Sequence, residues 1–251
     1  MVLLKTTAVC GLGALLSAVL ISQLAAQNRA DQLTNLQVFP KDISRQELIS
    51  TMRNFSFSLG VRCVYCHVGE DSPGKTNFAS DAKEAKKTAR NMIRMVEQIN
   101  KTYLAGSQKA PVTIDCETCH RGLPRPRTLQ AVLLETLDHD GLPAALDRYR
   151  QLRTNNYGDG KYDFTEESLN RLSESLLHNN RAKEASAVME LNAEFNGPLS
   201  KWGYSCLAMA HDANKEDQKA EGDFAKILEL DPHDTWAADR LKSLRAARQA
   251  R

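Results

Sequence analysis

The sequence has few aromatic residues, which make up only 6% of its 251 positions. Opposite charges nearly cancel, with a formal net charge of +2. Basic residues are not interleaved with aromatic ones, so nothing indicates binding to nucleic acid. The sequence also lacks a Gly-rich phosphate loop, a zinc-protease helix and a Cys/His nucleophile constellation, which excludes the enzyme classes that depend on them. With 42% hydrophobic residues, the chain is nevertheless expected to be globular.

A disulfide framework is also missing. Of the six cysteines, Cys10 lies in an apolar N-terminal segment, and Cys206 is a single leftover thiol that we expect to be a small buried hydrophobe. The other four lie in two runs of the form Cys-x-x-Cys-His. These runs are Cys63-Val64-Tyr65-Cys66-His67 and Cys116-Glu117-Thr118-Cys119-His120.

The Cys-x-x-Cys-His spacing is the attachment signature of a c-type haem. Two thiols three positions apart reach the two vinyl groups of one porphyrin, and the histidine that follows donates an imidazole nitrogen to the iron. We therefore predict two covalently attached haem c groups, which would supply the large apolar core elements that the composition lacks. A zinc site is the alternative, but zinc ribbons separate their two Cys-x-x-Cys pairs by roughly 15–20 residues, far fewer than separate Cys66 from Cys116. A redox dithiol needs no following histidine. The predicted thioether attachment sites are Cys63, Cys66, Cys116 and Cys119. The predicted proximal iron ligands are His67 and His120.

The first 27 residues indicate export. They carry one charge, Lys5, and then an apolar run from Ala8 to Ala26, which is the layout of a secretory signal. An uncleaved N-terminal anchor is the alternative, and it would associate the protein with a membrane. We expect the body of the protein in the periplasm or at the outer face of the cytoplasmic membrane.

A haem used only for electron transfer usually has both axial positions filled, most often by His and Met. Before the first motif, Ser44 and Glu47 read as a capping box. The helix that follows carries Met52 on one apolar face with Leu48, Phe55 and Leu59, and Gly60 then gives a stop signal. We predict Met52 as the distal ligand of the first haem.

The second motif repeats this plan. A long helix carries Met92 on a face with the small residues Ala85 and Ala89, and a loop with Gly106 leads to Cys116. We predict Met92 as the second distal ligand, with Met95 as its alternative because it lies one turn away. Ligation of a haem iron by two histidines is the alternative. The remaining histidines are expected on the solvated surface of the helical half: His139, His178, His211 and His233.

Three segments carry a family resemblance: Met52-Arg53 through Cys63, Arg90-Asn91-Met92 through Asn100, and Cys119-His120-Arg121-Gly122. They resemble the haem-binding units of the cytochrome c subunit of photosynthetic reaction centres, over roughly residues 38–126. The resemblance implies units of a helix with the axial Met, a turn and then Cys-x-x-Cys-His, with Met52 serving the first haem and Met92 the second. That subunit has twice as many haem motifs, so this chain resembles one half of it.

After Pro124 and Pro126 the pattern becomes helical and repetitive. Similar residues recur 35 positions apart, which resembles tetratricopeptide repeats; a generic helical hairpin bundle is the alternative. The matched pairs are Leu169/Tyr204, Leu172/Leu207, Ser173/Ala208, Ala185/Ala220 and Met189/Phe224. An earlier partial unit is expected through Ala145, Tyr149 and Leu152, and a capping helix over residues 236–244.

The predicted fold is therefore mainly α: helix-turn-Cys-x-x-Cys-His units around two haems, then a short tetratricopeptide-like α-hairpin array. We assign residues 1–27 to the signal or anchor, 28–127 to a dihaem cytochrome c domain and 128–251 to the helical domain. The predicted function is single-electron transfer between redox protein partners, with a protein partner or self-association through the repeats. A dihaem peroxidase or oxidoreductase with one open iron, and a redox-sensing repeat scaffold, are the alternatives.

Overall fold

The computed structural model describes residues 33–72, 74–106 and 112–250. The chain divides into two compact units between Pro124 and Arg125. The described residues are mainly helical, which confirms the predicted fold class. The predicted signal or anchor over residues 1–27 lies outside the described residues. Within the described ranges, no helix has the length and apolar character needed to cross a membrane.

The described part of the first unit contains two long helices, two short Cys-x-x-Cys helices and one small hairpin. In chain order they are α1 (Arg45–Leu59), α2 (Cys63–Cys66), β1 (Val68–Gly69), β2 (Thr76–Asn77), α3 (Glu84–Gln98) and α4 (Cys116–His120). The strands β1 and β2 pair antiparallel, with Val68 opposite Asn77. A π-helical segment, Ile99–Leu104, continues α3.

Helix α1 begins and ends where the sequence signals predict. The Ser44 side chain accepts a hydrogen bond from the backbone N–H of Glu47 at 3.1 Å, which satisfies one of the free donors of the first turn. Gly60 ends the helix in the left-handed conformation, with φ of +64°, and its N–H donates to the Phe57 carbonyl. The chain then turns directly into the first motif.

A side-chain clamp holds the approach to the second motif. The Asn100 amide donates to the Ile114 carbonyl and accepts from the Ile114 N–H, both at 2.8 Å. This pair of bonds ties the π-helical segment that continues α3 to the residues just before Cys116. The position of α4 is therefore set by a contact across the intervening loop.

The long helices and the motif helices pack in a crossed arrangement. Helix α1 lies against α4, and α3 lies against α2. The turn after α1 also contacts the end of the second motif, because the Gly122 N–H donates to the Ser58 carbonyl at 2.8 Å. A Cβ on Gly60 would lie 2.2 Å from the Gly122 carbonyl oxygen, so this approach needs glycine.

Seven helices make up the described part of the second unit, and they bury apolar side chains between them. They are α5 (Leu129–Asp140), α6 (Leu142–Asn156), α7 (Glu166–His178), α8 (Ala182–Asn196), α9 (Lys201–Ala213), α10 (Asp217–Leu230) and α11 (Thr235–Gln249). They form successive hairpins, and the first helices of these hairpins, α5, α7 and α9, also pack in order. Tyr149 and Phe224 are fully buried in this core.

Helices α7 and α9 begin and end 35 residues apart, in step with the repeat read from the sequence. Of the residues matched at this spacing, all but Tyr204 are buried. Small residues such as Ser173 and Ala208 therefore lie where helices approach closely. The assignment of these hairpins as tetratricopeptide repeats stays a prediction.

The structure corrects one expectation in this unit. His211 is not a solvated surface residue but is only 4% exposed, and its Nδ1 lies 2.6 Å from a carboxylate oxygen of Asp223. It lies one turn after Leu207 on the face of α9 that packs against α10, and the Asp223 carboxylate of α10 contacts it there. Cys206 is fully buried, as expected of a small apolar side chain.

Candidate functional site

The first motif forms a single helical turn just after Gly60. Cys63 and Cys66 are the first and last residues of α2, so their thiols emerge three positions apart along one turn. Both thiols are free; Cys63 is exposed and Cys66 is half-buried. His67 follows in extended conformation, and its N–H donates to the Cys63 carbonyl at 3.0 Å. The turn thus presents two thiols and one imidazole within five residues.

The His67 imidazole lies in a half-buried position beside Phe78. The two rings meet edge to face with centroids 5.1 Å apart. Its Nδ1 is buried and makes no hydrogen bond of standard geometry within the described residues. Burial, and then the positive charge of Lys86, hold the pKa of His67 below its ordinary value, although the nearby Phe78 backbone opposes part of this shift. His67 is therefore neutral at pH 7, which is the form that binds a metal.

The second motif forms the five-residue helix α4, which has a complete capping box. The Asp115 carboxylate accepts from the Thr118 N–H at 2.9 Å, and the Thr118 hydroxyl accepts from the Asp115 N–H at 3.1 Å. Cys116 is half-buried and Cys119 is exposed. Burial and the Asp115 charge raise the pKa of the Cys116 thiol.

The His120 ring is oriented by a backbone contact. Its Nδ1 lies 2.8 Å from the Leu123 carbonyl oxygen. A carbonyl only accepts, so Nδ1 carries the proton and Nε2 keeps a free lone pair. Metal-binding histidines almost always have such a second partner, which fixes the tautomer and the ring orientation.

The predicted distal methionines lie on the two long helices. Met52 is half-buried on α1, and Met92 on α3 is 37% exposed, compared with 44% for its alternative Met95. Helix α1, which precedes the first motif, packs mainly against α4 of the second motif. Helix α3, which precedes the second motif, packs against α2 of the first. This arrangement is compatible with a haem between each helix and its own motif, because a porphyrin there would separate those two elements. The pairing of Met52 with His67 and of Met92 with His120 stays a prediction.

The described residues of the first unit bury no apolar side chain. Among its described residues, only Ser58, Lys86 and Arg90 are buried, and all three are polar; the buried apolar residues begin at Leu129. Phe57 and Phe78 are 79% and 61% exposed. Large apolar side chains left in water indicate a surface that an apolar partner would cover. The free thiols, the oriented imidazoles and the exposed apolar side chains together fit two covalently bound porphyrins.

The described residues do not fit the zinc alternative. No group of three or more His, Cys, Asp or Glu side chains in those ranges is placed to hold a metal ion. The two Cys-x-x-Cys hooks therefore do not combine into one tetrahedral set of the kind found in zinc ribbons.

The structure also contains a polar cluster that the sequence patterns did not reveal. Lys86 donates to the carbonyls of Phe78 and Ser80 at 2.8 and 2.9 Å and pairs with Asp81 at 3.1 Å. Arg90 pairs with the same carboxylate at 2.9 Å. Hydrogen bonds from Arg90, and then from Asn35, hold the pKa of Asp81 far below its ordinary value. Lysine and arginine four residues apart on a helix are typical of an exposed face, so the pattern gave no signal for this cluster.

The model of the family described as photosynthetic reaction centre cytochrome c subunit matches residues 21–192. This range covers more than half of the 251 residues. The chain belongs to this family. The match extends beyond residues 38–126, where the resemblance was read from the motifs.

Individual relatives of the family match a shorter segment. The chain is 32% identical to cytochrome c-554 of Chloroflexus aurantiacus over 99 residues, covering 36% of this chain and 22% of that protein. It is 38% identical to the photosynthetic reaction center cytochrome c subunit of Thermochromatium tepidum over 95 residues, covering 37% and 21%. The corresponding subunit of Rubrivivax gelatinosus is 33% identical over 67 residues, covering 27% and 16%. The matched part of the chain thus spans only about a fifth of these relatives.

Proposed function

We propose that this protein is an exported dihaem c-type cytochrome that transfers single electrons between redox protein partners. The observation that carries the proposal is that two Cys-x-x-Cys-His turns lie in a unit whose described residues bury no apolar side chain and leave Phe57 and Phe78 exposed. Membership of a family of cytochrome c subunits supports it. When bound, the two haem c groups supply one-electron redox chemistry.

The side chains have separate roles in holding these groups. Cys63 and Cys66 form the thioethers of one haem c, and Cys116 and Cys119 form those of the other. His67 and His120 are the proximal iron ligands. The Leu123 carbonyl keeps the proton of His120 on Nδ1, so that Nε2 is available as a ligand.

Met52 and Met92 are the proposed distal ligands, with Met95 as the alternative to Met92. Their thioether sulfurs would complete the set of iron ligands, and a methionine ligand raises the reduction potential of a c-type haem. A complete ligand set leaves no position for a substrate, which favours a carrier over a peroxidase or another oxidoreductase.

The rest of the chain is assigned by the same proposal. Residues 1–27 direct export or anchor the chain, so that the protein works in the periplasm or at the outer face of the cytoplasmic membrane. Residues 28–127 form the cytochrome domain and 128–251 a tetratricopeptide-like domain. The hairpins of the second unit would bind a partner protein or a second copy of the chain.

Carbon monoxide binding tests the carrier against the enzyme alternative. We expect the fully reduced protein to bind carbon monoxide weakly or not at all, because both irons carry a distal ligand. Optical spectra of the reduced protein, recorded during titration with the gas, give the bound fraction. Tight binding at one haem would identify an open iron and support the oxidoreductase alternative. Partner complexes that survive loss of both haems would instead favour the redox-sensing scaffold.

A further inference from the structure

Three cations at the start of α3 lie close to the first motif. The Lys83 ammonium donates to the carbonyl of Val64, which lies within the Cys-x-x-Cys turn itself. Lys86 donates to the Phe78 carbonyl, and the Phe78 ring packs edge-on against His67. Arg90 lies one turn further along the same helix. We call Lys83, Lys86 and Arg90 the cationic cluster.

The cationic cluster carries a net positive charge, and two of its side chains are shielded from solvent. Lys86 and Arg90 are each 8% exposed, so water and salt screen them little. Asp81 pairs with both and stays ionised, which offsets one of the charges. Lys83 is half-buried, and among the described residues its ammonium donates to a carbonyl oxygen and not to a carboxylate.

The second motif has a different charge environment. Asp115 caps α4, and its hydrogen bonds with Thr118 hold its pKa below the ordinary value, so it is ionised at pH 7. Glu117 lies in the first turn, and Arg121 follows His120 directly. All three charged side chains are exposed, so solvent weakens their fields. The charged residues next to this motif in the chain include no buried cation.

Ferric iron carries one positive charge more than ferrous iron, so a nearby cation favours the reduced state and a carboxylate favours the oxidised state. We propose that the cationic cluster holds the reduction potential of the iron bound by His67 above that of the iron bound by His120. This inference rests on the proposed dihaem function. One electron then passes downhill from ferrous iron at the second site to ferric iron at the first. No proton or further reactant is needed for that transfer.

A redox titration of Lys83→Gln in the full-length holoprotein tests this order. The variant removes one charge and keeps a side chain that can donate to the Val64 carbonyl. We expect only the higher of the two potentials to fall, so that the gap between them narrows. The expected size is about a tenfold shift in the ferrous-to-ferric ratio, equal to about 59 mV for a one-electron couple. Asp115→Asn, which retains a helix cap, should raise only the lower potential, and by less than the Lys83→Gln shift because Asp115 is exposed.

Two variants serve as controls. Lys87→Gln removes an exposed charge paired with Glu84 on the same helix, and it should leave both potentials unchanged. Lys83→Arg keeps the charge and should restore the wild-type gap. Coincident wild-type potentials, a widened gap in Lys83→Gln, or no shift in that variant would each overturn the proposed order. Absence of bound haem from the wild-type protein would instead refute the proposed function.

Discussion

Replacing Cys116 and Cys119 together with alanine reduces the haem bound per chain to about half, because each Cys-x-x-Cys-His turn attaches one haem. The same double variant makes the first unit sensitive to protease. The buried described residues of that unit are polar, so loss of one porphyrin removes a large part of its apolar interior. The second unit resists, because residues such as Leu169 and Phe224 already form its core. Haem absorbance per chain and mapping of the protease fragments measure the two effects.

Cys206→Ala is the matched control for this result. It removes a thiol that is fully buried in the second unit and belongs to neither motif, so both haems should remain. A double variant at Cys116 and Cys119 that keeps the wild-type haem content would contradict the assignment of these thiols. Equal protease resistance of the first unit with and without haem would contradict the inference that the porphyrins cover its apolar side chains.

Met92→His lowers the reduction potential of one haem by on the order of a hundred millivolts, since axial ligands set haem potentials over a range of about 0.8 V. Replacement of sulfur by a second imidazole stabilises ferric iron, as in bis-His cytochromes compared with His/Met ones. The optical and magnetic spectra of that haem should change from His/Met to bis-His type. Met52→His should do the same to the other haem.

Met95→Leu is the control on the same helix. Met95 is one turn from Met92 and similarly exposed, so its loss tests whether the effect belongs to one particular sulfur. We expect unchanged spectra and potentials in Met95→Leu. If Met95→Leu alters a haem while Met92→His leaves both unchanged, Met95 is the ligand. Unchanged spectra in Met52→His would overturn the assignment of that residue.

Local signals in the sequence predicted much of the first unit. Ser44 and Glu47 give the start of α1 and Gly60 gives its end, because capping and left-handed turns depend on residues next to each other in the chain. The small residues along α3 and its methionines also lie on the predicted helix. The 35-residue spacing in the second unit agrees with the positions of α7 and α9, because each repeat of the pattern folds into a similar helix.

Contacts between distant residues could not be read from these patterns. The bond between Gly122 and Ser58 and the crossed packing of α1 on α4 depend on tertiary structure. Lys86 is buried because backbone carbonyls and Asp81 receive its ammonium group, although its spacing resembles that of a solvated face. His211 is buried for the comparable reason that Asp223 meets it from the next helix.

The mass of the intact protein, isolated with its cofactors and unfolded in acid, tests the central claim most directly. Thioether bonds survive unfolding, whereas haem held only by iron ligands is released. The proposal predicts a chain that carries the added mass of two haems, with peptides containing Cys63–Cys66 and Cys116–His120 each bearing one. A chain without added haem mass, or with haem on only one of these peptides, would contradict the dihaem account.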